Sequence, residues 1–483
     1  MIDTVLRREF EAALGTESVL SDPLQLRTYE CDGLTGFREV PALVVLPRST
    51  EEVAAAVSLC AKAGLPFVAR GAGTGLSGGA VPVAQGVVIS LARMRQVLDF
   101  DPEDRRMVLQ PGVTNAEISR IAAPHGLYYA PDPSSQVVCT IGGNVAENSG
   151  GAHCVKYGFT VHHVTALRVV LPDGSVTELG ADAPESPGPD LRGLFIGSEG
   201  TLGIATEITV RLLRTPESVR TLVADFPTVE AAGEAVSGIM ASGIVPAAVE
   251  MLDSLAIEAC EAAVHAGYSL DATAALVVEL DGMEHECDEQ FEKVVALCHE
   301  KGTTNVRIAT TSDERALIWK GRKAAFAAVG RISPDYFVQD GVVPRTRLSE
   351  ALSRIAAMSG AEGLRVANVF HAGDGNLHPL VLFDEGAGES ERAERLAAEI
   401  AEMCVELGGS LSGEHGIGLD KACSMPEMFG ETDLAVMRQL RAAFDPDGLA
   451  NPGKVLPTPR LCGEASGRYR PHPLEEAGVI ERL

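Results

Sequence analysis

The chain has 483 residues, and at roughly 100 to 200 residues per domain it divides into two or three. Hydrophobic residues make up 46% and charged residues 22%, a globular composition without a low-complexity block. A balance of 40 basic against 67 acidic residues leaves a formal charge of −27, which excludes nucleic acid and anionic membrane as partners of the general surface.

The first residues, MIDTVLRREFEAAL, lack the apolar stretch and cleavage site of a signal peptide. The longest apolar run, Val53 to Ala61, is far too short for a transmembrane segment, so a cytoplasmic location is expected. Ten cysteines show no CxxC and read as scattered reduced thiols, which leaves no place for an iron–sulfur cluster within the chain.

ALVVLP, from 42, reads as a strand, and Ser49 with Glu52 reads as a capping box before the helical pattern EVAAAVSLCAKA, which Gly64 stops. PFVAR then enters RGAGTGLSGGA, 70–80, where Gly73, Gly75 and Gly78 spell GxGxxG. A Rossmann fingerprint requires a helix to open at the last glycine, whereas the next regular stretch here, GVVISL, is a β-branched strand. The loop therefore predicts a nest of backbone N–H groups for a pyrophosphate, without a helix dipole.

TIGGNVAENSGG, 140–151, predicts a short helix with backbone against a ligand, and FIGSEGTLGIATEITVRL, 195–212, predicts a turn into an alternating strand. Three such loops in the first 205 residues point to one large phosphorylated ligand. Near residue 217 the texture changes. RTLVADF, TAALVVELDG and NVRIATT alternate as strands, separated by the helical stretches TVEAAGEAVSGIM and DEQFEKVVALCHE, which predicts α+β with an antiparallel sheet.

In RVANVFHAGDGNLHPLVLF, 365–383, an apolar strand leads to His371, AGDGN reverses the chain, and His378 begins a second strand. A hairpin of that form brings the two imidazoles within cross-strand reach. SGEHGIG, 412–418, supplies Glu414 and His415 between glycines. Two imidazoles and a carboxylate, His371, His378 and Glu414, are a three-ligand set for a divalent metal such as Zn, and the alternative is a hairpin with an unrelated glycine turn. A metal there would lower the pKa of a substrate alcohol, and His415 would be the proton acceptor.

RGAGTGLSGGA, PDPSS at 131, TIGGNVAENSGG, GSEGTLGI, HAGDGNLHP, SGEHGIG and NPGKVLP at 451 resemble, in that order over about residues 20 to 457, the FAD-linked 2-hydroxyacid oxidase and dehydrogenase family. Its flavin domain is of vanillyl-alcohol oxidase type. WKGRKAAFAAVGRISPDYFVQDGVVPR, 319–345, resembles the glycolate oxidase flavin-subunit branch, with D-lactate and D-2-hydroxyglutarate dehydrogenases as near relatives. The resemblance implies a two-part FAD-binding domain, 1–217, a substrate and metal cap domain with an antiparallel sheet, 218–430, and a segment returning to the FAD domain, 431–457; 458–483 reads as a polar tail.

It further implies FAD held at its pyrophosphate by Gly71, Ala72, Gly73, Thr74, Gly75, Ser77 and Gly78, with contacts from Pro131, Asp132, Ser134, Gly142, Gly143, Gly200, Ile204 and Lys454. His371, His378 and Glu414 match the family's metal ligands, His415 its proton acceptor and Arg322 its carboxylate clamp. No histidine lies between Arg70 and Ala80, so the FAD is expected to be non-covalent, and Val338, where dicarboxylate-oxidising relatives carry lysine, favours a small monoacid. The expected reaction is oxidation of glycolate or D-lactate, with electrons passing to an iron–sulfur partner subunit, a quinone or another acceptor, and with attachment to a membrane only peripheral, through partner subunits. The alternatives are a D-2-hydroxyglutarate-type dehydrogenase, a non-catalytic FAD-binding subunit, and a flavoenzyme without net oxidation such as the ether-lipid synthases.

Overall fold

The computed structural model describes residues 3–181 and 188–458, so the expected polar tail lies, apart from Thr458, outside the described residues. Strand Leu43–Val45 leads into helix Thr50–Ala63. Ser49 Oγ accepts the Glu52 N–H, while the Glu52 carboxylate reaches back to the Arg48 N–H at 2.7 Å, one residue beyond the expected box. Gly64, at φ +61°, ends the helix in the left-handed conformation that glycine adopts without strain. The chain then returns as Phe67–Arg70, and Val87–Ser90 inserts parallel between the two strands. No helix forms between Arg70 and Val87, so the glycine loop is not a Rossmann turn.

A second sheet of five antiparallel strands has the order Val97–Asp101, Arg106–Leu109, Ile204–Arg211, Val164–Val170, Val176–Gly180. Val53, Val57, Ile89, Val170 and Ile204 share one apolar core, which locks the two sheets together around the glycine loops. Helix Ile141–Glu147 carries the second loop, and Thr140 Oγ1 caps it by accepting the Gly143 N–H.

An eight-stranded antiparallel sheet begins at Ser218. Its inner strands read as nearly continuous apolar runs because both faces are covered. Leu222, Ala224, Phe226, Leu276, Val278 and Leu280 face the core that includes helices Val229–Ala241 and Glu284–Glu300. Val223, Ala275 and Val277 face the other way, towards helices Ser254–Val264 and Ser312–Lys323. The same two-residue period puts Thr221, Glu279, Glu250, His371 and His378 on this second face. The two candidate histidines are thus part of a polar row laid across an otherwise apolar sheet.

After helix Glu431–Phe444 the chain returns to the first sheet. The Asp445 carboxylate accepts the N–H groups of Leu449 and Ala450, and Asn451 N–H donates to the Phe67 carbonyl. Eight described cysteines are free thiols, as expected, whereas Cys423 is disulfide-bonded and corrects the reading of uniformly reduced cysteines. Among the described residues no helix is long and apolar enough to cross a membrane.

Candidate active site

A cleft of about 970 Å³ lies between the glycine loops and the large sheet. Gly71, Ala72, Gly73, Thr74, Gly75, Ser134, Gly142, Gly143, Gly200 and Ile204, all singled out in the sequence, line it. Ser77, Gly78, Pro131, Asp132 and Lys454 stand behind that lining. The Ser77 carbonyl accepts the N–H groups of Leu419 and Asp420, the Pro131 carbonyl accepts from Asn115, and Lys454 donates to Val81 O and Asn451 Oδ1. Burial lowers the Lys454 pKa to about 8.

The opposite wall is formed by Lys323, Phe326, Phe337, Val338, Glu414 and His415. Strands Val366–His371 and Asn376–Phe383 pair so that Val369 faces His378, which puts His378 one step along the same face from His371. The second strand begins two residues before His378, so the turn is shorter than AGDGN implied. His371 Nε2 lies 3.3 Å and His378 Nε2 3.2 Å from the same oxygen, Glu414 Oε1. The candidate ligand atoms of these three residues lie within 4.8 Å of one another. The His415 ring stacks on that of His378 at 4.9 Å, with its Nε2 3.8 Å from Glu414 Oε1.

Asp340 holds this loop in place. Its buried carboxylate accepts the backbone N–H groups of Gly413 (3.0 Å), Glu414 (3.1 Å) and His415 (2.8 Å) and the Ser412 hydroxyl. Burial opposes its ionisation, but the charges of His415, Lys421 and His378 hold its pKa down at about 2. Asp340, His378 and His415 also form a geometric ligand trio. With four donors already on its carboxylate, Asp340 is a loop anchor, and the His371, His378, Glu414 trio is the one left open.

Glu199, within GSEGTLGI, is a second anchor. Its two oxygens accept from Ile417 N (2.7 Å) and Gly418 N (2.8 Å), and its carbonyl accepts from Asn451 Nδ2. Glu199 and Glu147 both line the cleft. Burial raises the Glu199 pKa to about 7, and burial together with Glu199 raises that of Glu147 well above the carboxylate range. Gly418 sits at φ +51°, and a Cβ there would press into the Ser77 carbonyl. Gly418→Ala is expected to destabilise the protein by about 1–3 kcal/mol, measured by denaturant unfolding of the FAD-loaded chain.

Arg322 is almost fully buried and does not line the cleft; its Nη2 lies 2.5 Å from Glu250 Oε2. Glu250 also accepts from His371 Nδ1 at 2.8 Å. Burial lowers the His371 pKa, but Glu250 and Glu414 on its two sides outweigh it and raise it well above normal. Burial likewise pushes Glu414 up, and the two imidazoles outweigh that and hold it well below its normal range. His415 differs: burial dominates and lowers it to about 4. Glu250 and Glu279 were missed in the sequence, although a glutamate in the middle of an apolar strand, as in AVEMLD and LVVELDG, is the signal that marks them.

The cleft suits FAD in volume, and its eleven lining glycines offer backbone rather than side chains to a diphosphate. A divalent cation is suited by the chemistry of the trio, in which two imidazole Nε2 atoms face one carboxylate oxygen. Cys139, also on the cleft wall, is a poor nucleophile because burial raises its thiol pKa.

Two family models match the chain: an FAD binding domain over residues 41–180 and the C-terminal domain of FAD linked oxidases over residues 215–455. The glycolate oxidase subunit GlcD of Escherichia coli (strain K12) is 51% identical over 470 residues, covering 97% of this chain and 94% of that protein. A D-lactate dehydrogenase of Anaerostipes hadrus is 35% identical over 86% of this chain and 89% of its own length. Among solved structures, p-cresol methylhydroxylase with substrate bound superposes with a TM-score of 0.78 at 17% identity, covering 93% of this chain and 96% of that one, which shows a shared fold. The chain therefore belongs to the FAD-linked oxidase family, with a flavin fold of vanillyl-alcohol oxidase type, and is an FAD-dependent oxidoreductase.

Proposed function

We propose that the chain oxidises a small 2-hydroxy acid, glycolate or D-lactate, to the 2-oxo acid. The observation that carries this reading is the convergence of His371, His378 and Glu414 on one point, beside His415 and at the wall of a glycine-lined cleft. Bound FAD, held non-covalently, supplies the acceptor for the hydride from the substrate α-carbon, and a divalent cation on the trio supplies Lewis acidity for the hydroxyl.

The chain's own groups do the rest. His415 takes the hydroxyl proton at Nε2, the nitrogen facing Glu414; its lowered pKa keeps it neutral, and so able to accept, at pH 7. Glu414, held ionised by its imidazole neighbours, and the paired imidazoles fix the cation's place. Arg322, buried just behind the cleft lining, serves as carboxylate clamp: its Nη2 is paired with Glu250, while its buried Nε has no hydrogen-bond partner. Val338 on the cleft wall offers no charge to a second carboxylate, which supports a monoacid over 2-hydroxyglutarate.

The 2-oxo acid leaves two electrons on the cofactor. Among the described residues no cysteine joins a metal-binding group of side chains, so the electrons go to an iron–sulfur partner subunit, a quinone or another carrier, at the membrane periphery where partners attach. The location proposed is cytoplasmic. Anaerobic mixing of the FAD-loaded chain with a panel of 2-hydroxy acids, with and without Zn²⁺ or Mn²⁺, tests the reading. Bleaching of the flavin by glycolate or D-lactate that is lost on chelation is expected. A flavin that stays oxidised under every hydroxy acid, or bleaching indifferent to chelator, would overturn the reaction or the metal's part in it respectively.

A further inference from the structure

Glu250 is wholly buried in strand Ala248–Asp253, between Val249 and Met251, and takes no part in the proposed reaction. A carboxylate at the centre of a sheet is costly unless it is paired. It is the cross-strand partner of His371, and its two oxygens lie 2.8 and 2.9 Å from His371 Nδ1. On its other side is Arg322 Nη2. The helix that carries Arg322 packs on the same sheet face, so one carboxylate meets both residues without any change of backbone.

That arrangement has a chemical consequence. In the neutral ring that a cation requires, an acceptor on Nδ1 fixes the imidazole tautomer so that the lone pair falls on Nε2, and Nε2 is the atom that faces Glu414. The same carboxylate pairs with Arg322 Nη2 at 2.5 Å, while the buried Arg322 Nε remains without a hydrogen-bond partner. We propose that Glu250 is the positioning residue of this site, aligning His371 for the cation and Arg322 for the substrate carboxylate through its two contacts. The inference rests on the reading of the trio as a metal site given above.

The test measures cation affinity in the FAD-loaded chain by chelator competition with Zn²⁺, alongside flavin content and unfolding. Glu250→Gln keeps an acceptor for Nδ1 but loses the charge, and it is expected to weaken Zn²⁺ binding roughly 10- to 100-fold with flavin content unchanged. Because removal of one charge could leave Arg322 unpaired and the fold weakened, Glu250→Leu with Arg322→Met removes both charges together. That double variant is expected to hold FAD and to bind Zn²⁺ more weakly still. Wild-type affinity in either folded variant overturns the positioning role alone. A wild-type chain that takes up no Zn²⁺ overturns the metal reading beneath it, and the role with it.

Discussion

His415→Ala is expected to lower kcat roughly 10²- to 10⁴-fold, the range for removal of a positioned general base, while FAD content and Zn²⁺ affinity stay as in the wild type. The imidazole sits outside the ligand trio, stacked on His378 and about as far from Glu414 as a substrate oxygen could span. Its backbone N–H is fixed by Asp340, so truncation of the ring leaves the loop where it is. Stopped-flow reduction of the flavin under anaerobic conditions isolates the step. A His415→Ala chain that reduces its flavin at the wild-type rate would falsify the assignment of the base.

Glu279→Leu should destabilise the protein by about 3–5 kcal/mol, the cost of breaking a buried ion network from one side. Glu279 accepts from Arg315 (2.7 and 2.8 Å), Trp319 Nε1 (2.7 Å), Thr221 Oγ1 (2.6 Å) and His153 Nε2 (3.2 Å). His153 in turn pairs with Asp132, which also holds Lys323. Asp132 and His153 belong to the loops beneath the cleft, and Glu279, Arg315 and Lys323 to the large sheet and its helix, so this network fastens the two walls of the site to each other.

The network also sets a pH window. Burial opposes the His153 charge, but Asp132 and Glu279 outweigh it and raise its pKa to about 10. A raised pKa stabilises fully below the unfolded value of about 6.5 and is lost as pH climbs through about 10. Burial raises Asp132 and Glu279, and their cationic partners reverse this and depress both; their stabilisation is present above about pH 4 and is lost as acid protonates them. Stability is thus expected to be greatest between about pH 5 and 7 and to decline on the alkaline side. In Glu279→Leu the alkaline decline should shrink, as read by urea midpoints across pH. An unaltered decline in that variant would remove His153 and Glu279 from the account.

Much of this was legible in local sequence because local rules decide it. The cap of helix Thr50–Ala63, its stop at Gly64 and the absence of a helix after Gly78 follow from residue type and immediate neighbours. The hairpin of His371 and His378 was legible for the same reason: a two-residue period and a short turn determine which side chains share a face.

What the sequence by itself determined is the kit: glycine loops that bare their backbone, a histidine hairpin, and a Glu–His pair between glycines. Only the tertiary structure decided that Glu414 arrives between the two imidazoles, because the placement of its loop depends on Asp340 and Glu199, 74 and 215 positions away. It also decided that Arg322 meets Glu250 rather than open space, since a buried charge settles beside whichever opposite charge the packing of helix on sheet brings within reach. Hydrogen bonds and ion pairs act over a few ångströms of space, whatever the distance along the chain, so the chemistry of single residues can be read locally and their meeting cannot.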